Sequence, residues 1–183
     1  MSTLGFIGLG IMGTPMALRL RAAGHELFIH TRGEPKPEVL ATGVVRCASA
    51  KEVAQKADIV FTMLPDTPDV AKVLFADDGV AAGLKDSKRG ADGRVGKTVV
   101  DMSSISPIET KDFAAKINAL GCDYLDAPVS GGEVGAKAGT LTIMVGGPEA
   151  AFECVRPLFE LMGKNITLVG GNGDGQKIGR AHV

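Results

Sequence analysis

A chain of 183 residues is long enough for one well-buried domain and leaves little for a second. Its 45% hydrophobic and 22% charged residues suit a globular fold, and a net charge of −1 gives no electrostatic reason to expect DNA, RNA or an anionic membrane as partner. With no tryptophan and 4% aromatic residues, it also lacks platforms on which bases could stack.

The first stretch organises the rest. Leu4–Ile7 is a short apolar run that predicts a strand, and Gly8-x-Gly10-x-x-Gly13 follows at once. Pro15–Ala23 then has helical apolar spacing and stops at Gly24. Strand, tight turn and helix in this order are the context that gives a GxGxxG its meaning as a dinucleotide fingerprint. Gly8 permits the turn, Gly10 lets a pyrophosphate approach the backbone, and Gly13 lets the helix lie close to the strand. The N–H groups and dipole of the helix start favour phosphate charge.

The alternation continues. Glu26–His30 and Val44–Arg46 read as strands, and Ser49 caps a helix running to about Lys56. Ile59–Leu64 is an uninterrupted apolar strand of the kind buried on both faces, and Thr67-Pro68 opens a helix through Phe75. The polar, glycine-broken stretch Lys85–Arg94 predicts an exposed loop. Val99–Met102, a helix from Ser106-Pro107 to Leu120, and Tyr124–Asp126 come next. Thr140–Val145, a helix Glu149–Leu161 and a last strand Ile166–Val169 complete the pattern. Repeated β-α units predict an α/β fold: a doubly wound, Rossmann-type, mostly parallel sheet with helices on both faces.

Cys47, Cys122 and Cys154 are odd in number and far apart, so they predict small buried thiols in a reducing compartment and no metal site or disulfide framework. The glycine-broken N-terminal run has no basic segment before it, which predicts neither a signal peptide nor a membrane span; the expected location is the cytoplasm.

NAD-specific folds place an acid about 20 residues beyond the glycines, to hold the ribose 2′-hydroxyl. Here the second strand ends His30-Thr31-Arg32-Gly33, with Lys36 nearby and no carboxylate at the strand end. Arg32 and Thr31 would suit a 2′-phosphate, so charge favours NADP over NAD, unless Arg32 is one more solvated arginine. Leu64-Pro65-Asp66-Thr67 and Asp101-Met102-Ser103-Ser104 lie at carboxyl ends of strands, where ligands sit in open α/β sheets. Ser104 either binds the cofactor or, with Ser103 and Ser106, only shapes a turn and a helix cap. In Asp126-Ala127-Pro128-Val129-Ser130-Gly131-Gly132, the Ser130 hydroxyl and the N–H groups that Gly131 and Gly132 leave open form a nest for a substrate carboxylate. No histidine is placed to make Ser130 a nucleophile.

The stretches GFIGLGIMGTPMA, MLPDTP, DMSSISPIET, YLDAPVSGGEVGAKAGTLTIMVGG and GGNGDGQ, in this order from about residue 3 to Gln176, resemble the β-hydroxyacid dehydrogenase family. The resemblance implies that Gly8, Leu9, Gly10, Ile11, Met12 and Gly13 hold the pyrophosphate, and that Leu64, Pro65 and Ser104 border the nicotinamide. It further implies that Ser130, Gly131 and Gly132 bind the carboxylate of a small aldehyde or hydroxy acid. The implied reaction is hydride transfer with NADP or NAD, a lysine serving as proton donor, in an enzyme that assembles as a homo-oligomer. An imine-reductase-like enzyme and a non-catalytic dinucleotide-binding module share the same cofactor domain and remain open.

The family pattern after the glycine-rich loop is GQ-x-x-K-x-x-N, leading into an all-helical C-terminal domain that these 183 residues do not include. The lysine position is occupied by Gly179, so no catalytic residue is assigned. Lys177 stands two residues early, about 200° away around a helix. Ile178–Val183 corresponds codon by codon to ATC-GGA-AGA-GCA-CAC-GTC, a common sequencing-adapter sequence. The expected division is therefore a dinucleotide-binding domain over 1–176 and a non-native tail over 177–183.

Overall fold

The computed structural model describes residues 2–85, 87 and 96–181. β1 (Thr3–Ile7) runs through the glycine turn into α1 (Gly13–Ala22), and β2 (Glu26–His30) returns parallel to β1. A one-turn helix α2 (Pro37–Leu40), the short β3 (Val45–Arg46) and α3 (Ala50–Lys56) lead to β4 (Ile59–Thr62). Next come α4 (Thr67–Phe75), α5 (Val80–Lys85), β5 (Thr98–Asp101), α6 (Pro107–Asn118) and β6 (Asp123–Asp126). The chain continues through β7 (Val129–Ser130), α7 (Gly132–Ala138) and β8 (Leu141–Gly146) to α8 (Glu149–Met162), β9 (Gly163–Gly170) and α9 (Asp174–Ala181).

The strands form one sheet in the order β3-β2-β1-β4-β5-β6-β8-β7, with β9 on β8. Each pair among β1 to β6 is parallel, whereas β8 runs antiparallel to β6 and β7. The doubly wound, mostly parallel architecture is therefore the one the β-α rhythm predicts.

Register and side-chain alternation build the core. Ile29, Phe6, Phe61, Val100 and Leu125 lie side by side across five strands. All five are buried under Met16, Ala17 and Leu20 of α1 and Phe152, Val155 and Phe159 of α8. Shifted by one residue, Phe28, Val60, Val99 and Tyr124 occupy the opposite face, beneath α3, α4, α5 and α6. Successive side chains point to opposite faces, so a strand covered on both sides reads as an unbroken apolar run.

Several boundaries differ from expectation. β4 stops at Thr62 because Leu64 turns its N–H away from the ladder, to the Ser103 hydroxyl. α2, α5, β7 and α7 are additional elements, all short, and α5 and α7 are rich in glycine and alanine. Ser49 caps α3 by accepting from Glu52 N, but Ser106, at the start of α6, makes no side-chain cap bond. Cys154 is exposed, contrary to the expected burial, because it lies outside the stripe of α8 that Phe152, Val155 and Phe159 bury; Cys47 and Cys122 are buried. Of the expected loop Lys85–Arg94, Lys85 closes α5 and Ser87 is a bend, while 86 and 88–94 lie outside the described residues. Among the described residues, no helix is long and apolar enough to cross a membrane.

Candidate dinucleotide-binding site

The helices following β1 and β4 leave on opposite faces of the sheet, which opens a crevice at the carboxyl ends of these adjacent strands. A cleft of about 680 Å³ lies there. Its floor is the turn Ile7–Gly13; one wall is the end of β2 from His30 to Glu34, and the other is Met63, Leu64 and Pro65 with Asp69, Lys72 and Val73 of α4.

The glycines keep the turn compact. Gly8 has φ +96° and donates its N–H to His30 O at 3.0 Å. A Cβ on Gly8 would collide with Met63 O, and one on Gly13 with Gly8 O, so either side chain would push β1, β4 and α1 apart. Gly10 faces open space: a Cβ there meets nothing within 4 Å. Thr14 ties the turn to the helix through Oγ1 to Leu9 O, 2.9 Å. No side chain caps the start of α1 and its first turn carries no acid, an arrangement that suits a bound diphosphate.

At the outer end, Arg32 is 84% exposed and stands 3.7 Å from Asp69 across the cleft mouth. Thr31 is half-buried on the same wall. Glu34 is engaged by Arg46 through two bonds of 2.7 and 3.0 Å, and the guanidinium holds its carboxyl below the usual range.

At the inner end, the row of residues at the strand termini turns polar: Thr62, Asp101 and Asp126 lie in register and fully buried. Asp101 Oδ1 accepts from Thr62 Oγ1 (2.8 Å) and Ser103 N (3.1 Å), and Oδ2 accepts from Tyr124 OH (3.3 Å). Burial outweighs the hydrogen bonds from Ser103, Thr62 and Tyr124 and pushes the Asp101 carboxyl up to about 6. Asp126 accepts from Gly173 N (2.8 Å) and Gln176 N (3.0 Å), and burial raises it as well. The Gln176 side chain donates to Ser103 O (2.6 Å) and accepts from Ile105 N (3.0 Å). Sequence reading gave Asp101, Asp126 and Gln176 no role. Their signal is faint: two apolar strands that each end in aspartate, VVD and YLD.

The cleft thus gathers Gly8, Leu9, Gly10, Ile11, Met12, Gly13, Thr31, Arg32, Leu64 and Pro65 along its walls. Ser104, Ser130, Gly131 and Gly132 are not among the lining residues. Ser104 is exposed in the turn after β5, and Ser130 is half-buried on β7. Gly131 (φ +125°) and Gly132 (φ +59°) open α7 with no side-chain cap. On α9, Lys177 is paired at the surface with Asp174 at 3.0 Å, while Gly179 packs on Pro128, where a Cβ would lie 2.7 Å from its Cγ.

Residues 3–171 match the family described as the NAD binding domain of 6-phosphogluconate dehydrogenase. The chain belongs to the β-hydroxyacid dehydrogenase family. It is 62% identical to 2-hydroxy-3-oxopropionate reductase of Escherichia coli K12, over 94% of this chain and 56% of that protein. A solved structure of Mycobacterium tuberculosis 3-hydroxyisobutyrate dehydrogenase with L-serine superposes with a TM-score of 0.84 at 35% identity, covering 100% of this chain and 59% of that one. Psf3 in complex with NADP+ and 2-OPP superposes with a TM-score of 0.88 at 30% identity, covering 98% of this chain and 61% of that one. This β-hydroxyacid dehydrogenase chain therefore spans little more than half the length of the relatives it matches, and the part it spans is their NAD-binding domain.

Proposed function

We propose that this chain is the cofactor-binding part of an NAD(P)H-dependent reductase that converts tartronate semialdehyde (2-hydroxy-3-oxopropionate) to glycerate. The 62% identity to the Escherichia coli reductase carries this reading. The stretches DMSSISPIETK and ITLVGGNGDGQ support the same member of the family over its 3-hydroxyisobutyrate dehydrogenase relatives.

The residues present fit the dinucleotide. The uncapped start of α1 and the open side of Gly10 would take the pyrophosphate, with Leu9, Ile11 and Met12 around it. Leu64, Pro65 and Ser104 would flank the nicotinamide, which when bound supplies the hydride. Ser130, Gly131 and Gly132 would hold the substrate carboxylate through a hydroxyl and backbone N–H groups. Gly179 occupies the position of the family's proton-donating lysine, and this reading assigns that role to no residue of the chain. Loss of a positioned acid typically lowers a rate by about 10²–10⁴-fold. The division into a domain over 1–176 and a non-native tail over 177–183 belongs to the same reading; the source gene read beyond the Gln176 codon tests it.

NADP is the favoured cofactor. Among the described residues Arg32 is held by a 3.7 Å pair with Asp69, so a 2′-phosphate can take its guanidinium while Glu34 stays neutralised by Arg46. Fluorescence titration of the chain and of Arg32→Ala with NADPH and NADH is the test. A charge-assisted hydrogen bond contributes roughly 1.5–3 kcal/mol, so the variant should lose about ten- to hundredfold in NADPH affinity and little in NADH affinity. Equal losses for both, or turnover of tartronate semialdehyde by the unmodified chain at an ordinary enzyme rate, would overturn the roles given to Arg32 and Gly179 respectively.

A further inference from the structure

Two turns follow the adjacent strands β4 and β5: the first carries Leu64 and Pro65, which line the cleft, and the second carries Ser104, which lies outside that lining. Neither is held mainly by its own backbone. Leu64 N donates to Ser103 Oγ at 2.9 Å, which joins the first turn to the second. The carboxamide of Gln176 then brackets Ser104, donating to the carbonyl before it (Ser103 O, 2.6 Å) and accepting from the N–H after it (Ile105 N, 3.0 Å). Gln176 is itself anchored through its backbone N–H to Asp126, and Ser103 through its own N–H to Asp101. Ser103, Gln176 and both aspartates are buried while Ser104 is exposed, so the assembly leaves one residue of the turn at the surface and hides everything that aims it. The outer end of the cleft, from Gly8 to Arg32, is built by β1, β2 and α1 without any of these bonds.

We infer that Ser103 and Gln176 are positioning residues for the nicotinamide end of the bound dinucleotide, fixing Leu64 and Ser104 relative to each other, and contribute nothing to the adenosine end. This rests on the placement of the nicotinamide beside Leu64, Pro65 and Ser104 proposed above. Turns held by buried side-chain bonds of this kind keep their spacing when a ligand arrives, whereas turns satisfied by water must be ordered at that moment.

The experiment compares NADH with ADP-ribose, which retains the adenosine and pyrophosphate and lacks the nicotinamide, on the full chain by calorimetric titration. Ser103→Ala removes the hydroxyl's bond to Leu64 N, and with it a bond to the Asp101 carboxylate, and should weaken NADH by roughly three- to tenfold, with ADP-ribose binding unchanged. Equal weakening of both ligands, which general loosening of the fold gives, or no weakening of either, overturns the inference. Leu64→Ala and Ser104→Ala test the placement separately. If they separate the two ligands and Ser103→Ala does not, only the positioning role falls; if none of the three does, the placement of the nicotinamide falls with it.

Discussion

Asp101 has been given a cost that pH can remove. Its carboxyl is fully buried, and its protonation midpoint rises from 3.8 to about 6 on folding. Between these values the folded state binds the proton more tightly than the unfolded chain, so stability falls as pH rises from about 4 to about 6 and then levels off. At 1.36 kcal/mol per pH unit, this group makes the fold about 3 kcal/mol less stable at neutral pH than in mild acid. Asp101→Asn keeps the acceptor for Thr62 and Ser103 N and removes the charge, but turns an amide NH2 toward the Tyr124 hydroxyl, which must reorient. The variant should therefore gain somewhat less than about 3 kcal/mol at pH 7.5, a rise in Tm of several degrees for a domain of this size. The assay is urea unfolding of both proteins at pH 4.5, 5.5, 6.5 and 7.5. The other titrating carboxyls cancel in the difference, which should be largest at pH 7.5 and shrink toward pH 4.5. Parallel stability curves across that range would show that Asp101 titrates alike in the folded and unfolded chain, as it would if water reached it, and the reasoning fails.

Other positions give sharper or cheaper checks. Gly13→Ala drives a methyl group into Gly8 O and should cost about 1–3 kcal/mol while abolishing dinucleotide binding, read by urea unfolding and NADH fluorescence. Phe61→Ala empties the centre of the aromatic stack, where Phe6 lies at 6.0 Å and Phe159 at 6.5 Å between ring centroids, and should cost about 3–5 kcal/mol. Of the three thiols, only Cys154 should react with a thiol reagent under native conditions, because Cys47 and Cys122 are buried and burial pushes the Cys47 thiol up. Mass spectrometry after brief labelling reads the site, and modification of Cys47 at a similar rate would contradict the packing of α3.

How much of this was legible in the sequence depends on whether a feature is local. β2, from Glu26 to His30, and the Ser49 cap follow from short-range pattern, and both appear where the pattern puts them. The glycine turn is equally local, since Gly8 and Gly13 answer to neighbours within the same β-α unit or the strand beside it. α5 was hidden because Gly83 interrupts a short apolar run, yet that glycine is required: a Cβ there would strike Lys51 O of α3. α7 was hidden by the glycines on either side of it, Gly131 and Gly139. The antiparallel setting of β8 leaves no trace in its apolar run, because alternation reports burial and says nothing of direction. The polar assembly of Asp101, Ser103, Asp126 and Gln176 was the least legible part, since its members come from three distant segments and each reads alone as an ordinary strand end or helix residue.

That separation also sets an order in time. Gln176 closes its bond to Ile105 across 71 residues of chain. At a synthesis rate of about 5–20 residues per second, the turn that carries Ser104 emerges roughly 4–14 s before the side chain that brackets it. The segment from Gly8 to Arg32 needs no such partner and is complete with the first two strands and the helix between them. The strands and helix that build the outer end of the cleft are therefore synthesised together, whereas the turn after β5 waits for the last helix before Gln176 can brace it.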